Sequence, residues 1–196
     1  MSTLAEGTVT RRPGGRTAEV THRVHEAILD LLVEGGVQAC TFSAVAERAG
    51  IERSTLYRRF PDRWEAIIDA LMDFAAKDVL PDVGDSFRGD LRSILRKLRS
   101  ALDSALGPAV LAVGIELQTN SNDYPRAYFD RRMEQLDPLF DAAIARGELS
   151  PDVDREAIFS MAAGPLYFRK FIASRPLSDA FIDHVVDNIC RLYCAQ

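Results

Sequence analysis

The sequence predicts an all-α fold, and three observations carry that expectation. Apolar residues recur at spacings of three and four in one segment after another. No stretch alternates apolar and polar residues as a half-buried strand would. Glycine, proline and short polar runs cut the periodic segments into helix-sized lengths. With 196 residues, 47% of them hydrophobic and 27% charged, the chain has ample material for buried cores.

Residues 1–16 are polar, carry Pro13, Gly14 and Gly15, and lack periodicity, so a disordered arm is expected there. From about Thr17, the residues Val20, Val24, Ala27, Ile28, Leu31 and Leu32 share one helical stripe, which Gly35 and Gly36 should end. Phe42, Val45, Ala46 and Ala49 then follow the i, i+3, i+4, i+7 rule, with Thr41 placed to cap. Ala49-Gly50-Ile51 reads as a tight turn, and IERSTLYRRF (51–60) as the next short helix. Pro61-Asp62 should start a fourth helix that carries Trp64, Ile67, Ile68, Leu71 and Ala75 inward and runs to about Val79.

The remainder is helical too. Segments are expected at about 87–106, broken by Gly107-Pro108, and at 109–119, ended by Asn120-Ser121-Asn122-Asp123. A helix over 125–145 should stop at Gly147, and helices over 154–173 and 178–194 follow. The last two open on Asp154 with Val153 and Ile158, and on Ser178 with Leu177 and Ile182, each a cap with a hydrophobic staple.

Composition excludes several classes of function. No apolar run approaches the roughly 20 residues that span a bilayer, and the first residues lack a signal core. A cytoplasmic protein with no membrane partner is expected. Cys40, Cys190 and Cys194 form no CxxC pair and lie far from His22 and His25, which argues for reduced structural cysteines and no metal site. GxSxG, P-loop, HExxH and dinucleotide glycine patterns are absent, so neither catalysis nor a cofactor is expected. Net charge is −5 but uneven: residues 1–64 hold nine arginines against eight acids, and the excess of acid lies downstream. A claim of nucleic-acid binding must therefore rest on local placement.

That placement is found in 51–60. At 100° per residue, Leu56 and Phe60 fall on one side, while Ser54, Thr55, Arg58 and Arg59 cover the opposite arc. Two short helices joined around Gly50 form a helix-turn-helix signature, whose second helix can enter a major groove. Thr41 sits where orphan N–H groups attract a phosphate. Tyr57 and Arg63 flank the face and suit phosphate contacts.

The run TFSAVAERAGIERSTLYRRFPDRWEAI resembles the DNA-binding segment of the TetR (tetracycline-repressor-like) family of bacterial regulators. Shared elements are the AxxAG turn (Ala46, Ala49, Gly50), the triplet Thr55-Leu56-Tyr57, and Phe60-Pro61 followed by Arg63. The resemblance runs from about residue 22 to 71; downstream it is confined to helix lengths and order and to the phrase AAGPLYFRKFI. Glu52 stands where the family usually places a serine cap, and Arg59 replaces a frequent histidine.

The resemblance implies a three-helix DNA-binding domain over 17–65 and a helical ligand-binding and dimerisation domain over 66–196. Arg53, Ser54, Thr55 and Arg58 would contact base edges, Thr41, Tyr57 and Arg63 phosphates, and Arg59 either. Arg11, Arg12 and Arg16 would enter a minor groove, or stay solvated in a free tail. A homodimer through helices 154–173 and 178–194 would use their long apolar stripes, including Phe159, Met161, Ala162, Leu166, Phe171, Ile182, Val185, Val186 and Ile189, unless these form an ordinary monomer core. It would read a palindromic operator in double-stranded DNA.

A pocket for a small-molecule effector would involve Phe74, Val113, Leu117, Tyr128, Met133, Phe159 and Tyr167, any of which could equally be plain core. Glu116, on an otherwise apolar segment, would need a partner if buried. The function implied is a ligand-released repressor, with the helix from Pro61 to Val79 as hinge. A regulator acting as activator, or a helical carrier of small molecules that ignores DNA, fits the same pattern.

Overall fold

The computed structural model describes residues 13–80, 83–119 and 124–194, with side chains from residue 17 onward. Nine α-helices account for most of them: α1 (Pro13–Ala39), α2 (Phe42–Ala49), α3 (Arg53–Arg59), α4 (Arg63–Phe74), α5 (Phe87–Asp103), α6 (Leu106–Thr119), α7 (Tyr124–Ala145), α8 (Arg155–Tyr167) and α9 (Asp179–Tyr193). Two π-helical segments, Ala75–Val79 and Phe168–Ile172, continue α4 and α8. The described residues contain no strand, only an isolated bridge between Leu149 and Cys194.

Several ends differ from the sequence-based expectation. Helix α1 begins at Pro13, because proline suits a first helical turn, where its missing N–H is not needed. Arg16 therefore lies in a helix, although its side chain is outside the described residues, as are Arg11 and Arg12. Gly35 and Gly36 do break α1 (φ 66° at Gly36), but one further turn follows and delivers Val37 and Cys40 to the core. Helix α3 is shorter than IERSTLYRRF, since Phe60 is extended at φ −123°.

Gly107-Pro108 belongs to the first turn of α6 and does not separate two helices from within a loop. The real break lies just before it, where α5 and α6 bend by 93°. Gly107 is required there: a Cβ would sit 2.3 Å from the backbone oxygen of Leu102. No single helix among the described residues is long and apolar enough to cross a membrane.

Two cores organise the molecule. One joins α1, α2, α3 and α4 through Val24, Ile28, Leu32, Val45, Leu56, Trp64 and Ile68. Leu106, Val113 and Leu117 of α6 complete it, so α6 packs across α1. The other joins α5, α7, α8 and α9 through Phe87, Leu95, Phe140, Ile158, Leu166, Ile182 and Ile189. Phe74 packs against both cores. Helix α9 lies along α5, with Arg92–Asp183 and Arg99–Asp179 contacts at 2.7 Å and an Arg88–Asp187 pair setting its register.

The apolar surplus expected on the last two helices is mostly absorbed inside the chain. Ala162, Leu166, Ile182, Val185, Val186 and Ile189 are buried, because α5 and α7 cover the inner faces of α8 and α9. The exposed apolar groups are others: Met161, Phe168 at 62%, Ile172 at 70%, and Leu192.

Candidate nucleic-acid interface

The reader helix is built from its inner side outward. Thr41 caps α2, its Oγ1 accepting from the Ala44 N–H at 3.2 Å. Gly50 adopts φ 62°, and its N–H and that of Ile51 close the turn on Ala46 and Glu47 carbonyls. This left-handed position suits glycine and aims the chain into α3. Leu56 is fully buried and Phe60 is 7% exposed, so α3 is anchored along one side. Glu52 precedes the helix without making a side-chain cap bond.

The opposite side is open. Arg53, Ser54, Tyr57, Arg58 and Arg59 are exposed, and Thr55 is half-buried. Arg58 and Ser54 have no polar partner among the described residues. Arg53 donates through Nη2 to the Tyr57 hydroxyl at 3.0 Å, with its guanidinium over the same ring. That ring meets Phe42 edge-on at 4.9 Å, so Tyr57 is braced on α2 while its hydroxyl faces outward. Arg59 donates to Thr21 of α1 and is drawn toward α1, away from the outermost arc. Arg63 is half-buried at the start of α4 and rests on the Trp64 ring. Thr41 is exposed, and its hydroxyl proton is left to donate.

Two contributors were not singled out from the sequence. Arg23 of α1 is exposed, and its guanidinium flanks the Gly50 turn, 3.7 Å from where a Cβ would project. Only the folding of α1 across α2 brings it there. His25 of α1 is buried, with its ring nitrogens 2.8 Å from Asp69 and 3.1 Å from Asp73 of α4. Burial pulls its pKa down, but the hydrogen bonds and charges of both carboxylates outweigh this and leave it raised. It ties the reader to α4.

Comparison with known proteins settles the class of this interface. Residues 25–71 match the model of bacterial regulatory proteins of the tetR family, and residues 80–189 match the tetracyclin repressor-like C-terminal domain. The chain belongs to the TetR family. It is 31% identical over 166 residues to the DNA-binding transcriptional repressor TetR of Mycobacteroides abscessus, covering 82% of this chain and 86% of that protein. It is 27% identical over 175 residues to the HTH-type regulator YdeS of Bacillus subtilis, covering 87% and 88%. The solved TetR-family regulator SCO0332 superposes with a TM-score of 0.71 at 27% identity, over 90% of this chain and all of that one. This TetR-family chain is thus a helix-turn-helix transcriptional regulator and not an enzyme.

Behind the TetR-type reader, a cavity of about 40 Å³ lies where α4, its π-helical continuation, α5, α6, α7 and α8 converge. Its walls include Leu71, Phe74, Leu98, Val110, Tyr128 and Tyr167, with Arg132 among them. Of the seven expected pocket residues, Phe74, Tyr128 and Tyr167 line it. Val113 and Leu117 do not, because α6 turns that i, i+4 stripe onto α1. Met133 and Phe159 do not either. Tyr128 and Arg132 share the cavity side of α7, which directs Phe129 and Met133 to the adjacent face, where Phe129 meets Phe159 at 6.1 Å. Glu116 is half-buried and accepts from Gln38 at 3.3 Å, near the end of α1, outside the cavity walls. The described residues contain no His, Cys, Asp and Glu cluster able to hold a metal ion.

Proposed function

We propose that the chain is a dimeric repressor that binds a palindromic operator and is released by a small molecule. One observation carries the DNA-reading part. Leu56 and Phe60 hold α3 rigidly from inside while Ser54 and Arg58 project without partners, which is the geometry a major-groove reader needs. In this reading Arg53, Ser54, Thr55 and Arg58 face bases. Thr41, Tyr57, Arg63, Arg59 and Arg23 then take phosphates, and Arg16 belongs to the approach to the minor groove. That the Mycobacteroides abscessus relative is named a transcriptional repressor supports repression over activation.

Dimerisation follows from the need for two readers about 34 Å apart. The exposed Met161, Phe168, Ile172 and Leu192, on α8, its continuation and α9, suit that contact. A cytoplasmic location fits a DNA-binding regulator.

The coupling runs through α7. It bears the cavity residues Tyr128 and Arg132. On the same broad face, at helical spacings of three and four, Tyr124 donates to Asp62, Arg131 reaches Glu65 at 3.1 Å, and Gln135 donates to the Met72 carbonyl at 3.0 Å. Asp62 caps α4 immediately after Phe60-Pro61. A ligand that shifts α7 therefore moves the start of α4 and the α3 that precedes it. By linkage, bound DNA weakens such a ligand by the same factor.

Selection of bound duplexes from a random pool by the purified full chain tests the DNA part. A palindromic consensus is expected, and its loss in Arg58→Ala. A pool that shows no enrichment refutes the reading and leaves a helical small-molecule carrier. Release is tested by the selected operator's dissociation when a compound library is added.

A further inference from the structure

The cavity contains one group that an ordinary core would not. Arg132 is the only arginine among the described residues that counts as buried, at 8% exposure. Its Nη1 donates to Gln135 Oε1 at 3.2 Å, and its guanidinium carbon lies 5.9 Å from the centre of the Phe159 ring. No carboxylate among the described residues forms an ion pair with it, whereas Arg131 next door reaches Glu65. Most of the five N–H donors of this guanidinium are thus unused by the protein. None of its unused donors is fully sealed from solvent, but most of the group is desolvated without a counter-charge, which costs free energy and pulls its pKa down.

Two more donors face the same space. Tyr128 and Tyr167 line the cavity, and neither hydroxyl has a hydrogen-bond partner among the described residues. Burial raises both pKa values, that of Tyr167 to about 12, so both keep their O–H protons near neutral pH. Around these three groups the walls are apolar: Leu71, Phe74, Val79, Leu98, Leu102 and Val110. Both π-helical segments touch the site. Ala75 and Val79, which bound the first, are wall residues, and Tyr167 immediately precedes the second. Such segments are frequent at functional sites.

We propose that this cavity binds the carboxylate of a small organic acid with an apolar tail, Arg132 taking the carboxylate side-on while Tyr128 and Tyr167 donate to it. The paired geometry of guanidinium and carboxylate favours this head group, and the apolar walls favour a hydrocarbon or aromatic tail. The proposal rests on the ligand-responsive reading above and narrows it to one chemical class. At about 40 Å³ the cavity has room for no more than a few water molecules, each of which needs roughly 10–15 Å³ of such space. The acid must therefore displace Phe74, Leu98 or the π-helical segment after α4, which brings binding and movement of α4 together.

The test is calorimetric titration of the full chain with benzoate, 4-phenylbutyrate and octanoate, each against its primary amide. At least one acid is expected to bind ten-fold or more tighter than its amide, and Arg132→Gln to erase that preference. Arg132→Met is expected to raise Tm in the absence of acid while abolishing acid binding, whereas a merely structural arginine would lower Tm on removal. Should Arg132→Gln fail to fold, Tyr167→Phe gives a second measure, with a several-fold loss for the acid and a smaller one for the amide. Equal affinity for acids and amides, or an acid preference that survives in these variants, overturns the proposal. Binding of sulfate with equal strength overturns it in favour of an inorganic anion. Operator retention is read separately. Acid-selective binding that leaves the operator bound upholds the carboxylate site and refutes ligand release, whereas release by neutral compounds alone does the reverse.

Discussion

Removing the Arg58 side chain isolates base reading from folding. The guanidinium is exposed and makes no polar contact among the described residues, so Arg58→Ala should change stability by no more than about 0.5 kcal/mol. On DNA, a side chain that pairs with a base edge discriminates by about 1–3 kcal/mol per site. A two-fold complex contains the contact twice, which gives about 2–6 kcal/mol, or from roughly 30-fold to beyond ten-thousand-fold in affinity. Fluorescence anisotropy with the selected operator and a scrambled duplex, each at two salt concentrations, measures it. The operator should lose affinity while the scrambled duplex barely changes. If both duplexes weaken alike and the salt dependence flattens, Arg58 is a phosphate contact. If neither weakens, α3 does not face DNA and the interface has been assigned to the wrong surface.

Three further outcomes follow from the same structure. Leu56→Ala empties a fully buried site under α3 and should cost about 2–5 kcal/mol in urea unfolding, with a cost under 1 kcal/mol contradicting the anchoring described above. His25 has a pKa above its ordinary 6.5, so the stability it supplies is complete below 6.5 and is lost as pH rises through the raised value. Unfolding at about pH 6 and about pH 8 should show a decline that His25→Gln removes, and parallel profiles for the two proteins would contradict it. Gly107→Ala forces a Cβ against the fixed Leu102 carbonyl and should destabilise by about 1–3 kcal/mol, readable as a fall in Tm. An unchanged Tm would mean that the α5–α6 bend is not tightly packed.

The local parts of this molecule were legible in the sequence. Thr41, Asp154 and Ser178 act as the caps that their positions suggested. The inward anchors Leu56 and Phe60 were readable from helical periodicity, as was the exposed arc of Ser54, Arg58 and neighbours. The cavity was less legible. Tyr128 and Tyr167 stood out as amphipathic aromatics, but nothing marked Arg132, because among many arginines on polar helix faces a buried one has no signature of its own. Val113 and Leu117 carried the same apolar pattern as a pocket wall would, and only the crossing of α6 over α1 turned them elsewhere.

By itself the sequence determined whatever depends on neighbours along the chain: the helices, their caps, the Gly50 turn, the two-faced character of α3 and the family they belong to. These follow from backbone conformation and a 3.6-residue period, which act over a few positions. Tertiary structure alone decided which apolar stripes meet. It set His25 between Asp69 and Asp73, Arg23 beside Gly50, and Arg132 in one cavity with Tyr167. Such pairings depend on crossing angles and helix rotation, which arise from packing over long sequence separations and leave no periodic trace.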